Sequence, residues 1–191
     1  MRKIVLQMMT TLNGRVDDPD AWVTGIPEDV YSEINRVYAT LDTILVGHNT
    51  YQEMVSYWPG AADEAGSTDT VKSMAHKMNS YQKIVFTGSA EKKSLGWNNV
   101  EQATIQRDDD ILKRVNDLKA QPGGDILVSG GFRLAQTFSR LGLIEEYRFF
   151  VYPVVSKGEA WFDLIQDKRE LELISATPYQ NGIVGLYYRP K

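Results

Sequence analysis

A short apolar run that passes through two glycines into a helical pattern restricts the possible folds of this chain most strongly. The run Ile126-Leu127-Val128 is followed by Ser129-Gly130-Gly131 and then by Phe132-Arg133-Leu134-Ala135. Hydrophobic residues without alternation are typical of a central strand in a parallel sheet, which is buried on both faces. Adjacent glycines let the backbone lie against a ligand, and the start of the next helix presents free N–H groups to an anion. The pattern therefore predicts a strand, a tight turn and a helix within an α/β fold.

The composition favours one soluble globular domain over residues 1–191, with 42% hydrophobic and 24% charged residues. A net charge of −4 and the lack of a Lys/Arg-rich run argue against a nucleic-acid partner. No stretch approaches the roughly 18 apolar residues of a membrane span, so we expect no membrane partner and a cytoplasmic location. The chain has no cysteine, and its two histidines, His48 and His76, offer no metal-ligand spacing. We expect no metal site.

Hydrophobic periodicity predicts a mostly parallel central sheet flanked by helices, with antiparallel strands at the C-terminal end. The last two strands alternate around a turn at Asn181-Gly182. The earlier predicted strands are residues 3–10, 43–46, 83–86, 126–128 and 147–152, with 100–104 as a short candidate. The predicted helices are residues 28–40, about 49–57, 70–79, 108–119 and 132–141.

Small and polar residues follow three of the predicted strands. They are Gly47, the segment Thr87-Gly88-Ser89 and the segment Ser129-Gly130-Gly131. In an open α/β sheet, ligands bind at the carboxyl ends of the strands, and two helix starts there would favour phosphate groups. The hydroxyl of Thr50 would add a further donor. A nucleotide cofactor fits this set, whereas the lack of a Walker loop and of Gly-x-Gly-x-x-Gly argues against a kinase or an ordinary Rossmann dehydrogenase.

Six segments that span nearly the whole chain together resemble one known family. They are Thr10–Val16, Ile44–Met54, Tyr57–Pro59, Lys83–Thr87, Pro122–Gly131 and the stretch from Leu141 to Val154. In this order and spacing they resemble the dihydrofolate reductase-like superfamily. The similarity is greater to its branch related to the C-terminal reductase domain of bacterial riboflavin biosynthesis proteins.

The resemblance implies an NADPH-dependent reductase that acts on a C=N bond of a pteridine-like or ribosylaminopyrimidine-like heterocycle. The family's cofactor contacts fall on three segments of this sequence. The pyrophosphate would be held by Gly130, Gly131, Phe132 and Arg133, with Ser129 as a further cofactor-binding residue. The adenosine-side phosphates would be held by Gly47, His48, Asn49 and Thr50, and the adenine ribose by Thr87, Gly88 and Ser89.

One position departs from the family pattern. His48 stands where the relatives usually carry arginine, and histidine is a weaker, pH-dependent partner for phosphate. Lys92 and Lys93 lie close enough in the sequence to compensate. We expect NADPH as the cofactor, with NADH not excluded.

Reduction of a C=N bond is easier when its nitrogen is protonated, so a carboxyl group in the pocket is useful. In folate reductases this acid lies at the start of the first helix, which Pro27-Glu28-Asp29-Val30 resembles. Asp29 is our candidate for both catalysis and substrate binding, with Asp17 and Glu28 behind it. The helix dipole alone would also favour acidic residues there. Met9 and Trp22 are expected in the substrate pocket.

Several alternatives stay open from the sequence. Within the enzyme class, the chain could be a true dihydrofolate reductase. From another class, it could be an NADP(H)-binding sensor without efficient catalysis. Arg15 and Arg133 could hold a substrate phosphate or carboxylate, although solvation at the surface is an equal explanation for Arg15. The antiparallel tail could supply the interface of a homodimer.

Overall fold

The computed structural model describes residues 1–89, 91 and 95–191. This part of the chain contains eight strands and five helices, together with two short 3-10 turns at Pro19–Ala21 and Gln180–Gly182. In chain order they are β1 (Ile4–Thr11), α1 (Glu28–Tyr38), β2 (Leu41–Gly47), α2 (His48–Tyr57), α3 (Asp69–Ser80), β3 (Gln82–Thr87), β4 (Val100–Thr104), α4 (Asp108–Lys119), β5 (Asp125–Ser129), α5 (Phe132–Arg140), β6 (Glu146–Tyr152), β7 (Leu171–Pro178) and β8 (Val184–Pro190).

All eight strands form one sheet in the order β4-β3-β2-β5-β1-β6-β8-β7. The six strands from β4 to β6 are parallel, and β8 pairs antiparallel with both β6 and β7. The prediction of a mostly parallel sheet with an antiparallel C-terminal end is confirmed. The short candidate strand at 100–104 is also confirmed, as the edge strand β4.

Helices cover both faces of the sheet, which explains why its central strands are hydrophobic throughout. One face, here called the α1 face, buries Val5, Ile44 and Phe150 with side chains of α1, α2 and α3. The opposite face buries Leu6, Leu45 and Phe149 with side chains of α4 and α5. Because successive strand residues point to opposite faces, the same strand serves both cores.

The Pro122-Gly123-Gly124 turn serves the packing of the sheet. The backbone N–H of Gly124 donates to Asp42, and its carbonyl accepts a 2.6 Å hydrogen bond from Nε of the buried Arg2. A Cβ on Gly124 would lie 2.7 Å from the carbonyl oxygen of Thr40. The two glycines therefore let β5 enter the sheet between β1 and β2.

The C-terminal hairpin differs from the simple alternation that the sequence suggests. The pairing of β7 with β8 shifts register between Leu173 and Ser175, so the ladder is irregular there. Leu173 is 52% exposed and Ile174 is 48% exposed, so neither is buried by this chain alone. The predicted turn at Asn181-Gly182 is confirmed, with Asn181 at φ 57°.

No helix within residues 1–89, 91 and 95–191 combines the length and apolar character that crossing a bilayer requires. In the same residues, no group of three or more histidine and acidic side chains is arranged to hold a metal ion.

Candidate functional site

The starts of two helices meet at the carboxyl edge of the sheet. Strands β2 and β5 are neighbours. Gly47, the last residue of β2, is the N-cap of α2, and Gly131, two residues after β5, is the N-cap of α5. A Cβ on Gly131 would lie 3.5 Å from Cα of Gly47. The backbones of the two predicted junctions are therefore in direct contact, and both helices direct free N–H groups toward one place.

Both the backbone angle and the space favour glycine at the first position of the pair. Gly130 has φ 72°, in the left-handed region, and a Cβ there would lie 2.6 Å from Cγ2 of Thr50. Gly131 also has φ 72°. The glycine pair therefore has a structural cause, because it allows the β5–α5 turn to lie against the first turn of α2.

The third predicted segment lies at the same edge, because β3 is the neighbour of β2. The backbone N–H of Ser89 donates to Oγ1 of Thr87 at 3.1 Å, which orders the turn after β3. Gly88 and Ser89 are exposed. Lys92 and Lys93, which could compensate for His48, lie outside the described residues.

The residues at this edge fit a dinucleotide coenzyme. The two helix starts offer free N–H groups to a diphosphate, and the absence of Cβ atoms at 130–131 lets it approach the backbone closely. The hydroxyls of Thr50 and Thr87 could donate hydrogen bonds to its oxygen atoms. Arg133 is exposed at the start of α5, with its guanidinium 5.8 Å from the ring of Phe132. Of the predicted cofactor residues, Gly47, Thr50, Gly130 and Gly131 are brought into mutual contact.

The two predicted pocket residues Met9 and Trp22 are brought together by Tyr152, at the end of β6. The hydroxyl of Tyr152 lies 3.7 Å from Sδ of Met9 and donates to the carbonyl of Gly25 at 3.2 Å. Its ring meets that of Trp22 edge to face, with 5.6 Å between centroids. Burial raises the pKa of Tyr152 to about 12, so the phenol stays protonated at neutral pH.

Both carboxylate oxygens of Asp29 accept hydrogen bonds from the backbone. Oδ1 accepts the backbone N–H of Val30 at 2.9 Å, and Oδ2 accepts that of Gln180 at 2.9 Å. These bonds tie the start of α1 to the turn between β7 and β8. Of the two reserve candidates, Asp17 pairs with Arg15 and Glu28 accepts the hydroxyl of Thr70.

Arg15 is neither a surface residue nor a free anion binder. It is 9% exposed, and its Nε donates to Asp17 at 2.9 Å while Nη1 donates to Ser156 at 2.6 Å. This hydrogen bonding lowers the pKa of Asp17, because it favours the charged carboxylate. Arg15 thus fastens the segment after β1 to the loop after β6.

Gln7 is a polar residue of β1 that the motifs of the sequence do not single out. It is next to Ser129 in the sheet, directly before the glycine pair. The signal was present in the sequence, because an amide interrupts the otherwise apolar run of β1. A separate open groove, lined by Ser80, Gln82 and Asn99, lies at the opposite, amino end of β3 and β4.

A family model supports the resemblance seen in the motifs. The model of the RibD C-terminal domain matches residues 2–185 of the chain. The chain is also similar to the uncharacterized protein YyaP of Bacillus subtilis (strain 168). The two are 29% identical over 188 residues, which covers 98% of this chain and 94% of that protein.

Solved structures with low sequence identity share the fold. A pyrimidine reductase-like protein from Corynebacterium diphtheriae has a TM-score of 0.70 at 14% identity, covering 100% of this chain and 92% of the other. The Thermotoga maritima diaminohydroxyphosphoribosylaminopyrimidine deaminase/5-amino-6-(5-phosphoribosylamino)uracil reductase has a TM-score of 0.66 at 17% sequence identity. The match covers 100% of this chain and 57% of that protein. Dihydrofolate reductase from Enterococcus faecalis, complexed with NADP(H), has a TM-score of 0.64 at 11% sequence identity, and the match covers 99% of this chain and 96% of that one. The fold is therefore dihydrofolate reductase-like.

Proposed function

The chain belongs to the RibD C-terminal domain family, and we propose that it is an NADPH-dependent reductase of a C=N bond. The substrate class that we propose is a pteridine-like or ribosylaminopyrimidine-like heterocycle. The name of the Thermotoga maritima protein, which includes a uracil reductase, supports this choice over a folate.

One observation carries the cofactor assignment. The starts of α2 and α5 touch through Gly47 and Gly131 at the carboxyl edge of the sheet. Together they offer the free N–H groups and aligned dipoles that a diphosphate requires. We assign the diphosphate to residues 129–133, the adenosine-side phosphates to residues 47–50 and the ribose to residues 87–89.

The bound coenzyme would supply the hydride. The chain's own residues would then orient the ring, exclude water and manage one proton. Met9 packs against the core cluster that holds the buried Trp22 and Tyr152, and we propose that these three residues would exclude water beside the reacting atoms. Asp29 remains our proposed proton-managing group, held in place by the N–H groups of Val30 and Gln180.

A direct test is the oxidation of NADPH, followed by its absorbance, with either dihydrofolate or the deaminated ribosylaminopyrimidine phosphate. We expect turnover with the ribosylaminopyrimidine. Turnover with dihydrofolate alone would identify a folate reductase instead. Binding of NADPH without turnover of either compound would favour the NADP(H)-binding sensor. A sensor role would agree with the fact that both carboxylate oxygens of Asp29 already accept backbone hydrogen bonds. No binding of either coenzyme in calorimetry would refute the assignment.

The role of Asp29 is tested by Asp29→Asn, which preserves shape and one oxygen acceptor. We expect turnover to fall about 100-fold, with the affinity for NADPH unchanged, because the amide cannot carry the proton. The matched control is Glu28→Gln, one residue earlier. Equal turnover in both variants would limit Asp29 to its structural hydrogen bonds.

The coenzyme preference depends on His48, the first residue of α2. We predict that His48→Arg strengthens NADPH binding about tenfold and leaves NADH binding unchanged, because a guanidinium adds a fixed charge for the extra phosphate. Calorimetric titration of both coenzymes checks this. Unchanged selectivity would remove His48 from the site.

The other expectations about partners stay proposals. We propose a homodimer with a small heterocyclic substrate and with neither nucleic acid nor membrane as a partner. We also propose the cytoplasm as the compartment, since a reductase of this kind needs a supply of reduced nicotinamide coenzyme.

A further inference from the structure

The edge strand β4 changes from apolar to polar as it approaches the carboxyl edge of the sheet. On the α1 face, Val100 packs against the hydrophobic core, whereas the next two residues on that face are Gln102 and Thr104. Gln106 follows two residues later, just beyond the strand. We call Gln102, Thr104 and Gln106 the polar row. It ends beside the turn that follows β3, because Thr104 pairs with Thr87 in the sheet.

All three side chains of the polar row donate hydrogen bonds to backbone carbonyls of that turn. Nε2 of Gln106 donates to the carbonyl of Gly88 at 2.8 Å, and Oγ1 of Thr104 donates to that of Ser89 at 3.2 Å. Nε2 of Gln102 donates to the same carbonyl of Ser89 at 3.3 Å, and to the carbonyl two residues later at 2.8 Å. The edge strand and the residue just beyond it therefore hold the backbone of this turn.

These hydrogen bonds add little to the stability of the fold, because Gly88, Ser89, Thr104 and Gln106 are all exposed. Water satisfies an exposed carbonyl oxygen nearly as well as a side chain does, so the net gain in free energy is small. The bonds do fix the turn, and a turn that is fixed in advance loses less conformational freedom when a ligand binds. A ligand at the turn therefore explains the polar row better than folding does.

The turn presents two hydroxyl groups that are able to donate to such a ligand. Oγ1 of Thr87 accepts the N–H of Ser89 at 3.1 Å, and Oγ of Ser89 accepts the N–H of Glu91 at 3.2 Å. A hydroxyl that accepts an N–H still has its own proton to donate. Phe86, directly before Thr87, pairs with Gly47, which is the N-cap of α2. The turn therefore lies next to one of the two helix starts.

We propose that Gln102, Thr104 and Gln106 are positioning residues for the coenzyme. Their side chains hold the carbonyls of the turn, and the turn then presents the hydroxyls of Thr87 and Ser89 to the adenosine ribose. The inference rests on the function proposed above and adds residues that act through the turn. Loss of the polar row therefore weakens coenzyme binding without unfolding the chain.

Two substitutions remove donors of the polar row while nearly keeping the size of the side chains. They are Thr104→Val and Gln106→Met, and Thr104→Ser is the conservative variant that keeps the hydroxyl. We expect the double variant Thr104→Val/Gln106→Met to bind NADP⁺ about five- to tenfold more weakly in calorimetry. Thr104→Ser should bind NADP⁺ more tightly than Thr104→Val. The melting temperature should change by less than about 2 °C, because both positions are exposed.

Thr40→Val is the matched control at the opposite, amino edge of the sheet, directly before β2. Thr40 is exposed, and its Oγ1 donates to the carbonyl of Val37 at 2.9 Å. The substitution removes the same kind of hydrogen bond as Thr104→Val does. It should therefore leave the affinity for NADP⁺ unchanged.

The outcomes separate this inference from the proposed function. A double variant that binds NADP⁺ as tightly as the native protein overturns the role of the polar row and leaves the reductase assignment intact. The role is also overturned if the double variant melts well below the native protein, or if Thr104→Ser loses as much affinity as Thr104→Val. If the native protein does not bind NADP⁺, the proposed NADPH-dependent function fails, and the role of the polar row fails with it.

Discussion

Two physical effects favour glycine at position 130, namely its backbone angle and the space beside Thr50, and variants can distinguish them. Its φ of 72° is strained for any other residue, and a Cβ would lie 2.6 Å from Cγ2 of Thr50. We predict that Gly130→Ala lowers the free energy of unfolding by about 2–4 kcal/mol and weakens NADPH binding. Denaturant titration and calorimetry measure the two effects.

Gly66 is the matched control, because it has φ 93° but no atom within 4 Å of its added Cβ. Gly66→Ala should therefore cost only the strain, about 1 kcal/mol. Adding Thr50→Ser to Gly130→Ala removes Cγ2, so the cost of Gly130→Ala should fall to that of Gly66→Ala. Equal costs for Gly66→Ala and Gly130→Ala would show that the contact with Thr50 is unimportant.

A buried lysine gives a second prediction at this scale. Lys83 is 0% exposed, donates to the carbonyls of Met78 and Tyr81, and lies 4.3 Å from the ring centroid of Trp97. Burial lowers its pKa from 10.5 to about 8. Between these two values the unfolded chain binds more protons than the folded one. The free energy of unfolding should therefore rise as the pH increases from 7.5 to 8.5.

The variant Lys83→Met should remove this rise, whatever its effect on stability at one pH. Lys72→Met, at an exposed position of α3, should keep it. The measurement is denaturant unfolding at several pH values up to 8.5. At higher pH the tyrosines of the unfolded chain begin to lose protons while the buried tyrosines with raised pKa values keep theirs, which lowers the free energy of unfolding. A slope that persists in Lys83→Met would mean that another group causes it.

At the scale of elements, the start of α1 is fastened to the β7–β8 turn by Asp29. Asp29→Ala removes both acceptors, so we predict a loss of about 1–3 kcal/mol in the free energy of unfolding. Hydrogen exchange at the backbone N–H of Gln180 should accelerate, since that group loses its partner. Glu28→Ala, which removes the carboxylate bound to Thr70, should leave this exchange unchanged. Unaltered protection of Gln180 in Asp29→Ala would contradict the tie.

The sequence allowed the order and type of the elements to be predicted, because their hydrophobic periods are strong. Strand β4 and the turn at Asn181 could be placed from short local patterns alone. The structural role of Arg15 could not be predicted from local patterns, because its hydrogen-bond partner Ser156 lies 141 residues later in the chain.

The candidate site shows the same division. The glycine junctions were visible because each occupies consecutive residues. That the two junctions touch follows only from the adjacency of β2 and β5 in the sheet, and the contact between Met9 and Tyr152 follows from that of β1 and β6. Local patterns therefore predicted the parts of the site, while the sheet order decided which parts meet.

At the scale of the whole molecule, the sheet ends in an edge that this chain leaves uncovered. β7 is the edge strand of the sheet, no described strand pairs with its outer side, and Leu173 and Ile174 are about half exposed on it. An exposed apolar edge invites pairing with another chain unless it is covered. We therefore predict that a second copy covers β7 and that the particle has twice the chain mass of 21.6 kDa.

Sedimentation or light scattering of the native protein and of Leu173→Lys/Ile174→Lys tests this prediction. The lysines should shift the mass to that of one chain, because two buried charges at an interface are costly. Leu12→Lys is the control, since Leu12 is 67% exposed but lies after β1, away from the edge. A native protein that sediments as one chain refutes the dimer. A dimer that survives the lysines at β7 but not the lysine at 12 would place the interface near the end of β1 instead.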